Sequence, residues 1–596
     1  MKKLHILKPL SGLLAMLAVS FCLFSCGTGG SGSKQTNTTA SETLAAPSGE
    51  WSIGSAASFA VVTPKTPTSA LTAACNTLLD AFESKTGVRP ETKTDAIKRG
   101  VLRDTQSFEL LLGRTDYDET KEVLKTISDG QFAIALSGHK LVLTAAKDVD
   151  IAAAVNYFIE HYINAMVATD GVYNLSTVSY VSPAVDTTRI VTVNGTDISE
   201  FTIVYETERV GYEDIAKLLQ SSMAELGYQV NVVADTVADS GKPEILVGKT
   251  NRTVSASAYG SKNPAFLTYS LQASGNKLQI VSGGPFSARE CVAAMMFRFF
   301  GADNTTYQNG ILLSGSVAIA DNAIPEGTDV RIMTSNILAA RWGEDNDPTY
   351  CYPVSQRAEI YAAVLAACKP DAVGVQETDR KWIDQFPYYL NLLKTDYNLD
   401  YSWQFTDFDG KQTLTTIMYR SDKYDLVDSG IENFTYFSSP AYNLRLTCWV
   451  QLQPKAGFGT QGFILMNTHW GFENEQNVFA CSNEHAERLN ALKTKGVPIF
   501  STGDYNSNPE TEQYLSFVSK TDVRSAREVA IEAGNCPTPG VGGCRAPGYQ
   551  RYLESSFIDH VLGTGTWNAL KYETILGTSI YMSDHSPQIA DIQFAG

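Results

Sequence analysis

The sequence is short of basic residues. Its 596 residues include 47 Lys and Arg against 64 Asp and Glu, which leaves a formal charge of −17 at neutral pH. A protein that holds nucleic acid along a broad surface needs the opposite balance, so the sequence disfavours this class of function. Chemistry on a single phosphate group is not excluded, because a divalent cation reverses the charge locally.

Long apolar runs are also scarce. Residues 10–24 form the one run that approaches the length of a signal or membrane segment, and three lysines precede it. The run ends in Leu-Phe-Ser-Cys-Gly, which resembles a bacterial lipobox and implies that Cys26 is the lipidated first residue of the mature protein. An ordinary signal peptide or a short transmembrane anchor is the alternative. We therefore expect an exported protein, lipid-anchored to the cell envelope and facing outside the cytoplasm.

No two cysteines have the spacing of a zinc ribbon. Of the ten cysteines, Cys22 lies in the signal segment and Cys26 is the predicted lipid site, so eight remain for the folded part. Cys536 and Cys544 flank a loop rich in proline and glycine. A disulfide between them is one interpretation in an exported protein, and two unlinked thiols are the other.

The length predicts about three or four domains, and 43% hydrophobic residues exclude global disorder. We divide the chain into a lipoprotein signal peptide (1–25), a flexible Gly/Ser/Thr tether (26–49), two α+β accessory domains (50–185 and 186–325) and a C-terminal domain (328–596). The predicted fold class is α+β and multidomain.

The two accessory domains are predicted from an internal repeat. Residues 110–115 read Leu-Leu-Leu-Gly-Arg-Thr and residues 245–250 read Ile-Leu-Val-Gly-Lys-Thr. Residues 137–143 resemble residues 274–280 in the same way, and helical patterns flank both copies. Each unit therefore predicts a helix, a strand, a hairpin and a second helix, with one sheet face covered.

This repeat resembles the small non-catalytic α+β domain that precedes the barrel in β-hexosaminidases and α-glucuronidases. The resemblance implies an accessory module in a glycan-facing protein, and so a glycan contact through the N-terminal domains. A spacer that binds no ligand is the alternative.

In the last domain, six apolar segments each end in polar residues. Strands of this kind can bring their ends to one edge of a sandwich, and carboxylate, amide and imidazole groups together suit a hard divalent cation and a phosphate. The segments are residues 331–336, 372–378, 463–469, 498–506, 556–560 and 583–587.

All six segments resemble, in order, the motifs of the endonuclease/exonuclease/phosphatase superfamily, which has the DNase I-like fold. Ser-Asn-Ile-Leu-Ala, Ile-Met-Tyr-Arg, Asn-Thr-His and Ile-Asp-His are most similar to the deadenylase- and nocturnin-type branch and its bacterial relatives. The resemblance implies a four-layered α/β/β/α sandwich.

The resemblance also implies a metal site for Mg²⁺ or Mn²⁺. Glu377 corresponds to the principal ligand, Asn336 lies beside it, and Asp584 contributes to the same region. The acidic residue that many nucleases carry two positions after the asparagine is Leu338 here. This departure disfavours a two-metal site and a simple DNase.

Five further residues correspond to the catalytic groups of the family. Asp504 orients or deprotonates the attacking water, and Asn506 holds both the water and the phosphate. His585 contacts a phosphate oxygen with Asp559 as its orienting partner, and His469 is the second phosphate-facing histidine.

Three more positions are assigned less directly. Tyr419 is expected to help position the substrate, and Arg445 to contact its phosphate, with a surface salt bridge as the alternative for Arg445. His560 is interpreted as part of the wall rather than as a catalyst.

Together these expectations describe an extracytoplasmic, lipid-anchored, metal-dependent enzyme that hydrolyses a phosphate mono- or diester. The domain from residue 328 has 21 Lys and Arg against 32 Asp and Glu. We therefore expect a small, sugar-linked or lipid-linked phosphate as substrate and no stable nucleic-acid partner. The alternatives are a secreted nuclease, or a glycan-binding surface lipoprotein with an inactive phosphatase-like domain.

Overall fold

The fold is that of a computed structural model, which describes most of the chain after residue 50. The described residues are 51–53, 59–96, 103, 106–169, 172–175, 180–182, 190–301, 306–317, 319, 321–345, 351–405, 414–435, 445–472, 474–544, 556–576 and 581–595. The predicted signal peptide, tether and lipidated Cys26 lie outside them. Among these residues, no helix combines the length and apolarity that a membrane crossing requires.

The first N-terminal copy of the repeat contains nine strands and three α-helices within the described residues. They are β1 (Trp51–Ile53), β2 (Ala60–Thr63), α1 (Ser69–Thr86), β3 (Glu91–Thr94), β4 (Glu109–Leu112), α2 (Asp118–Leu124), β5 (Phe132–Ser137), β6 (Lys140–Ala145), α3 (Ile151–Phe158), β7 (Ala168–Thr169), β8 (Val172–Leu175) and β9 (Tyr180–Val181).

The second copy follows with the same kinds of elements. They are β10 (Thr192–Val193), β11 (Thr196–Asp197), β12 (Thr202–Tyr205), α4 (Tyr212–Glu225), β13 (Val232–Ala234), β14 (Glu244–Val247), α5 (Thr253–Tyr259), β15 (Thr268–Ser274), β16 (Lys277–Ser282), α6 (Pro285–Gly301), β17 (Thr306–Tyr307) and β18 (Gly310–Ser316).

The two copies share one sheet topology. The strand orders are β3-β2-β4-β6-β5-β9 and β13-β12-β14-β16-β15-β18, with four parallel strands followed by two strands that each run antiparallel to the one before in both. The Gly of the repeated Gly-Arg/Lys-Thr step has a φ of 85° at Gly113 and 86° at Gly248, a region that glycine adopts without the steric cost of a Cβ. The domain limits at residues 185 and 325 stay a prediction.

The C-terminal region supplies the remaining strands and helices. They are β19 (Val330–Asn336), α7 (Val354–Cys368), β20 (Ala372–Gln376), α8 (Arg380–Tyr397), β21 (Tyr401–Gln404), β22 (Thr415–Arg420), β23 (Tyr424–Asn433), β24 (Leu446–Pro454), β25 (Phe463–His469), α9 (Glu475–Leu492), β26 (Ile499–Asp504), α10 (Glu512–Thr521), β27 (Arg524–Ser525), α11 (Ala526–Glu532), β28 (Asp559–Gly563), β29 (Trp567–Thr574) and β30 (Gln588–Phe594).

This region is a four-layered α/β/β/α sandwich. One sheet has the order β21-β22-β20-β19-β30-β29 and the other β23-β24-β25-β26-β28-β27. Apolar side chains fill the space between the sheets, α7 and α8 cover the outer face of the first sheet, and α9 and α10 cover that of the second. The predicted fold class and DNase I-like sandwich are confirmed.

A buried asparagine joins the two sheets close to their polar edge. The amide nitrogen of Asn467, on β25, donates to the carbonyls of Val375 and Thr416 across the sandwich, at 2.9 Å each. Its oxygen accepts from Gln376 Nε2 at 2.7 Å. Because buried amides need such partners, these bonds fix how the sheets lie on one another.

The second repeat packs against α7 through one carboxylate. Glu359, fully buried on α7, accepts from the backbone nitrogens of Leu267 and Ser287 and from the Ser287 hydroxyl, at 2.8, 3.0 and 2.7 Å. Gly284 lies so close that a Cβ there would overlap this carboxylate. Glu359 therefore joins the residue before β15 and the start of α6 to the C-terminal domain.

Candidate active site

The predicted polar segments meet at one edge of the sandwich because of how the strands run. In the first sheet, Asn336 at the end of β19 lies beside Gln376 at the end of the parallel strand β20. In the second sheet, Asp504 lies between His469 on one neighbouring strand and Asp559 on the other. The strand register therefore brings together residues far apart in sequence.

One amide links the carboxylates of the two sheets. Asn336 Nδ2 donates to Glu377 Oε1 at 3.0 Å and to Asp504 Oδ2 at 3.2 Å. Asn336 Oδ1 accepts from the backbone nitrogen of Leu338 at 3.0 Å, so the amide nitrogen faces the carboxylates. Asn336 therefore bridges the two carboxylates, and its predicted role in the metal site stays a prediction.

The two predicted histidines converge on the same oxygen. Asp504 Oδ2 lies 3.4 Å from His469 Nε2 and 3.7 Å from His585 Nε2. The other ring nitrogen of His585 lies 2.8 Å from Asp559 Oδ2, which holds the ring so that Nε2 faces Asp504. All four residues are buried, at 6% exposure or less.

The charges in this cluster shift one another's pKa values. Burial acts to raise the pKa of Asp504, but the charge and hydrogen bond of His469 and the charge of His585 outweigh it, so the pKa is lowered. Burial acts to lower the pKa of His585, but the charge and hydrogen bond of Asp559 raise it well above the usual range. Asp504 is thus held as a carboxylate beside an imidazolium.

Buried polar atoms at this edge have no partner among the described residues. They are Oδ1 of Asp559 and Nδ1 of His469. Buried groups of this kind are rare in folded proteins and are typical of positions that meet an ion, a water or a ligand.

The backbone is strained at the same edge. Leu338, Glu377 and Asn506 have φ values of 55°, 68° and 47°, in the left-handed region that residues with a Cβ seldom adopt. Glu377 is held there by its backbone nitrogen, which donates to the Leu414 carbonyl at 2.6 Å. Such strain is concentrated at functional sites, where the surrounding structure compensates for it.

Asn506 lies beside the cluster, and its hydrogen bonds are local. Its backbone nitrogen donates to Asp504 Oδ1 at 2.9 Å, and its side-chain nitrogen donates to the Trp470 carbonyl at 2.9 Å. Asn506 therefore orients Asp504 directly. Its predicted contact with phosphate stays a prediction.

A buried network supports the cluster from behind, and the sequence did not single it out. Trp470 is fully buried, and its ring nitrogen donates to His485 Nδ1 at 3.1 Å. His485 Nε2 lies 3.0 Å from the hydroxyl of Ser501 on β26, and burial lowers the pKa of His485 to about 3. This histidine is therefore a neutral core residue that fixes the strand carrying Asp504.

His560 fits its interpretation as wall. Its Nε2 lies 2.8 Å from the Ser507 carbonyl, and burial lowers its pKa to about 4.

The sequence also missed the segment that backs Asp559. A Cβ on Gly543 would overlap the Asp559 carboxylate. The backbone of Cys544 pairs with that of His585 in an isolated antiparallel β-bridge. A glycine and a cysteine in a Pro/Gly-rich loop carry no signal of this role.

Two exposed aromatic rings and an arginine form the rim of the site. The Arg445 guanidinium carbon lies 6.0 Å from the centre of the Trp342 ring and 5.6 Å from that of Phe472. Trp342 follows β19 and Phe472 follows β25, so both leave strands that end at the site. Arg445 has an aromatic ring on either side, and its predicted contact with the substrate phosphate stays a prediction.

One sequence-based interpretation is corrected here. Tyr419 pairs with Ala372 at the start of β20, whereas the site lies at the other end, and its ring packs in the core between the sheets. It is therefore no part of the site. Cys536 and Cys544 are not joined by a disulfide in this structure, which is the second of the two possibilities that the sequence left open.

The donor set fits a divalent cation. The buried carboxylates of Glu377, Asp504 and Asp559 and the half-buried carboxylate of Asp584 lie near two imidazoles, so acidic groups outnumber basic ones at this edge. Burial raises the pKa of Asp584, the charge of His585 opposes this, and the charge of Glu377 adds to it. A hard cation bound by oxygen ligands relieves such repulsion.

One subset is compact enough to bind a metal as it stands. Among the described His, Cys, Asp and Glu residues, the ligand atoms of Asp504, Asp559 and His585 all lie within 4.8 Å of one another. Two of these residues were predicted to act on the water and the phosphate rather than on the metal. The predicted Glu377 lies next to this group through Asn336.

Several solved structures resemble this chain. An endonuclease/exonuclease/phosphatase family protein from Bacteroides thetaiotaomicron is 21% identical, with 45% of this chain and 98% of that chain covered and a TM-score of 0.37. A mannosyl-6-phosphatase from the same species is 21% identical, with 44% and 100% covered and a TM-score of 0.35. The human Nocturnin catalytic domain, with a bound sulfate anion, is 18% identical, with 46% and 97% covered and a TM-score of 0.36.

The family comparison is more specific. No curated protein matches the chain in sequence. Residues 333–585 match the sequence model of the Endonuclease/Exonuclease/phosphatase family, and this range contains every residue of the cluster around Asp504. Over residues 333–585, the C-terminal part of this chain is therefore similar in sequence to the Endonuclease/Exonuclease/phosphatase family.

Proposed function

We propose that the C-terminal domain is a metal-dependent phosphoesterase that hydrolyses a small phosphate mono- or diester. One observation carries the proposal: Asp504 Oδ2 lies within 4 Å of two histidines and shares the Asn336 amide with Glu377. A carboxylate in this position can accept a proton, and the two imidazoles beside it can donate hydrogen bonds.

Asp504 is the group that activates water. Its lowered pKa keeps it ionised, so it can accept a proton from a water that attacks phosphorus. The Asn506 backbone nitrogen holds the other carboxylate oxygen, which fixes the direction in which the acceptor faces. Attack in line with the leaving oxygen needs this fixed direction.

His585 and His469 stabilise the charge that develops on the phosphate. The hydrogen bond from His585 Nδ1 to Asp559 keeps the imidazolium in place, so its Nε2 proton is directed to a phosphate oxygen. His469 contributes a second donor from the neighbouring strand. A metal, which Glu377 and Asp584 would hold, would neutralise charge on the phosphate oxygens.

The substrate class follows from charge and shape. The domain is acidic overall, which opposes a long nucleic acid on its surface. Trp342, Phe472 and Arg445 at the rim offer two ring faces and one cation, which suits a single sugar or other ring next to a phosphate. We therefore favour small, sugar-linked or lipid-linked phosphates over nucleic acid.

The proposal is tested with Glu377→Gln and with metal removal. The variant and the EDTA-treated chain are each expected to hydrolyse phosphoesters at least about 100-fold more slowly, because the phosphate charge is no longer neutralised. Rates are measured on bis-p-nitrophenyl phosphate, p-nitrophenyl phosphate, sugar phosphates and DNA. Added Mg²⁺ or Mn²⁺ should restore the hydrolysis rate of the EDTA-treated chain but not that of the Glu377→Gln variant.

Glu510→Gln is the matched control, since Glu510 is an exposed acidic residue of the same domain. It should keep full activity. Equal activity of the wild type and Glu377→Gln, or full activity in EDTA, would refute the metal-dependent mechanism. A preference for DNA over every small ester would support the nuclease alternative.

We also propose that the enzyme acts outside the cytoplasm, anchored by lipid at Cys26. The apolar segment and the Leu-Phe-Ser-Cys-Gly sequence support this proposal. In bacterial cells, Cys26→Ala is expected to abolish incorporation of labelled palmitate. Ser25→Thr, which keeps the cysteine, is the control. Labelling of the Cys26→Ala chain at the level of the wild type would contradict the anchor.

A further inference from the structure

The apolar core of the C-terminal domain extends into the second repeat. Phe266, Leu267 and Phe286 belong to the repeat, yet they pack in the same cluster as α7, α8 and the outer face of the first sheet. The ring of Phe266 stacks on that of Tyr397 at 4.9 Å between ring centres, and its backbone nitrogen donates to the Tyr397 hydroxyl at 3.1 Å. The two parts therefore share one core, as a single folding unit does.

Glu359 is the polar contact within this shared core. Its hydrogen bonds to Leu267 and Ser287, and the close approach of Gly284, enclose its carboxylate completely. Loss of these donors would leave a charge or an unpaired acid in the core, which is strongly unfavourable. The second repeat therefore holds α7 in one position.

The opposite side of α7 holds two loops of the candidate active site. Arg357 is fully buried and lies about 200° around the helix from Glu359. Its guanidinium donates to three loop carbonyls, at 2.8, 2.8 and 3.0 Å. Two of these residues directly follow Asn336, and the third lies two residues before Asp584. The three are Ile337, Leu338 and Met582.

Further contacts fix the Arg357 side chain itself. It donates to the Tyr352 carbonyl at 2.7 Å and to Glu344 Oε2 at 2.9 Å, and its guanidinium carbon lies 5.1 Å from the centre of the Trp382 ring. Trp382 Nε1 in turn donates to the Leu338 carbonyl at 3.0 Å. This set of bonds needs the planar guanidinium, because an ammonium group offers three donors from a single point.

The loop that Arg357 holds also orients Glu377. Glu377 Oε2 accepts from the backbone nitrogen of Ala339 at 3.0 Å, and Oε1 accepts from the Asn336 amide at 3.0 Å. Leu338, which lies between these two donors, has a φ of 55° and depends on the surrounding structure for this conformation. A shift of the loop would therefore move the Glu377 carboxylate.

We propose that the second repeat is part of the catalytic unit: it holds α7, and α7 positions the candidate active site through Arg357. Arg357 is a positioning residue, since it contacts the loops of the site rather than a substrate. The effect on hydrolysis rests on the proposed function, whereas the effect on the loops does not. This role of the repeat needs no ligand.

The first measurement needs no substrate. Hydrogen–deuterium exchange with mass spectrometry, on the full chain, follows the loops at residues 337–340 and 581–585. Glu359→Gln turns an NH₂ group toward donors of the repeat in either orientation, and Gly284→Ala places a methyl group against the carboxylate. Each is expected to speed exchange in both loops at least about tenfold, as is Arg357→Lys, because the loops then open more often.

Two further variants refine this measurement. Because Glu359→Gln and Gly284→Ala break the same contact, the double variant should add little to either single one. Ser287→Ala removes only the hydroxyl bond to Glu359, so it tests the same contact if Glu359→Gln does not fold. It should speed exchange in the same loops by a smaller factor.

The second measurement is steady-state hydrolysis of the two p-nitrophenyl esters. Glu359→Gln, Gly284→Ala and Arg357→Lys are each expected to lower kcat at least about tenfold and to change KM by less than about threefold, because misplaced groups slow the reaction more than they weaken binding. Thermal unfolding followed by circular dichroism verifies that each variant is folded at the assay temperature.

Glu225→Gln and Arg380→Lys are the matched controls. Glu225 is exposed at the end of α4 in the second repeat, and Arg380 is exposed at the start of α8. Both variants should match the wild type in exchange and in kcat.

The results separate this proposal from the proposed function. Unchanged loop exchange in the Glu359, Gly284 and Ser287 variants would overturn the link from the repeat to the loops, and unchanged exchange in Arg357→Lys would overturn the role of Arg357. Faster exchange with a wild-type kcat would overturn the positioning of the site. If the wild type hydrolyses no ester, the proposed function fails, and the exchange results alone confirm or overturn the hold of the repeat on the loops.

Discussion

Asp504→Asn is expected to lower kcat for phosphoester hydrolysis by about 10³-fold, within the 10²–10⁴ range of a lost general base. The amide has the same shape but accepts no proton at neutral pH. It also removes the negative charge that His469 and His585 share. KM should change far less than kcat, because the rim formed by Trp342, Arg445 and Phe472 is untouched. Steady-state kinetics on the preferred ester measure both constants.

Asp522→Asn is the control for this substitution. Asp522 is an exposed residue after α10 with a φ of 52°, a conformation that asparagine accepts readily. Its variant should be fully active. If Asp504→Asn retained more than a tenth of the wild-type kcat with unchanged near-ultraviolet circular dichroism, Asp504 would not be the group that activates water.

Arg331→Met is expected to lower the free energy of unfolding by about 3–5 kcal/mol, the cost of removing one partner of a buried ion pair. Arg331 on β19 and Asp591 on β30 face each other in the register and are both fully buried. Two parallel bonds of 2.7 Å join the guanidinium to the carboxylate. Methionine fills the volume but leaves Asp591 charged or newly protonated in the core. Guanidinium-induced unfolding of the C-terminal domain measures the change.

The guanidinium also holds the chain that enters the domain. It donates to the carbonyls of Asn322 and Ala323 in the linker and of Cys368 at the end of α7, at 2.8, 2.9 and 2.7 Å. The double variant Arg331→Met/Asp591→Leu should recover part of the loss, because no charge is then left buried. A single variant as stable as the wild type would contradict the ion-pair argument, and a double variant less stable than the single would assign the effect to packing.

The strand-end pattern predicted much of the site. Six apolar segments ended in Asn, Asp, Glu and His, and the structure brings Glu377, His469, Asp504, Asp559 and His585 to one edge. This prediction works because a central strand must be apolar along its length, so a polar residue can be tolerated only where the strand leaves the core.

The same reasoning failed where the direction of a strand or the packing of a helix determines which residues reach the site. The motif around Tyr419 predicted a strand, but β22 runs antiparallel to β20, so the motif's later residues lie at the end away from the site. His485 and His469 are both buried histidines. Only the packing of α9 on β26 shows that His485 bonds to Ser501 in the core while His469 faces Asp504.

The sequence by itself determined the kind of domain, the polar residues at its strand ends and the duplication before it. These features depend on local residue patterns, which stay the same however the strands pair. The tertiary structure alone decided which atoms meet: Asn336 reaches Asp504 across 168 residues of chain. It also decided that Glu359 of the C-terminal domain meets the second repeat at Leu267 and Ser287. Such contacts depend on register and on which sheet edge a neighbour covers, and these are set by packing between segments that carry no local signal for each other.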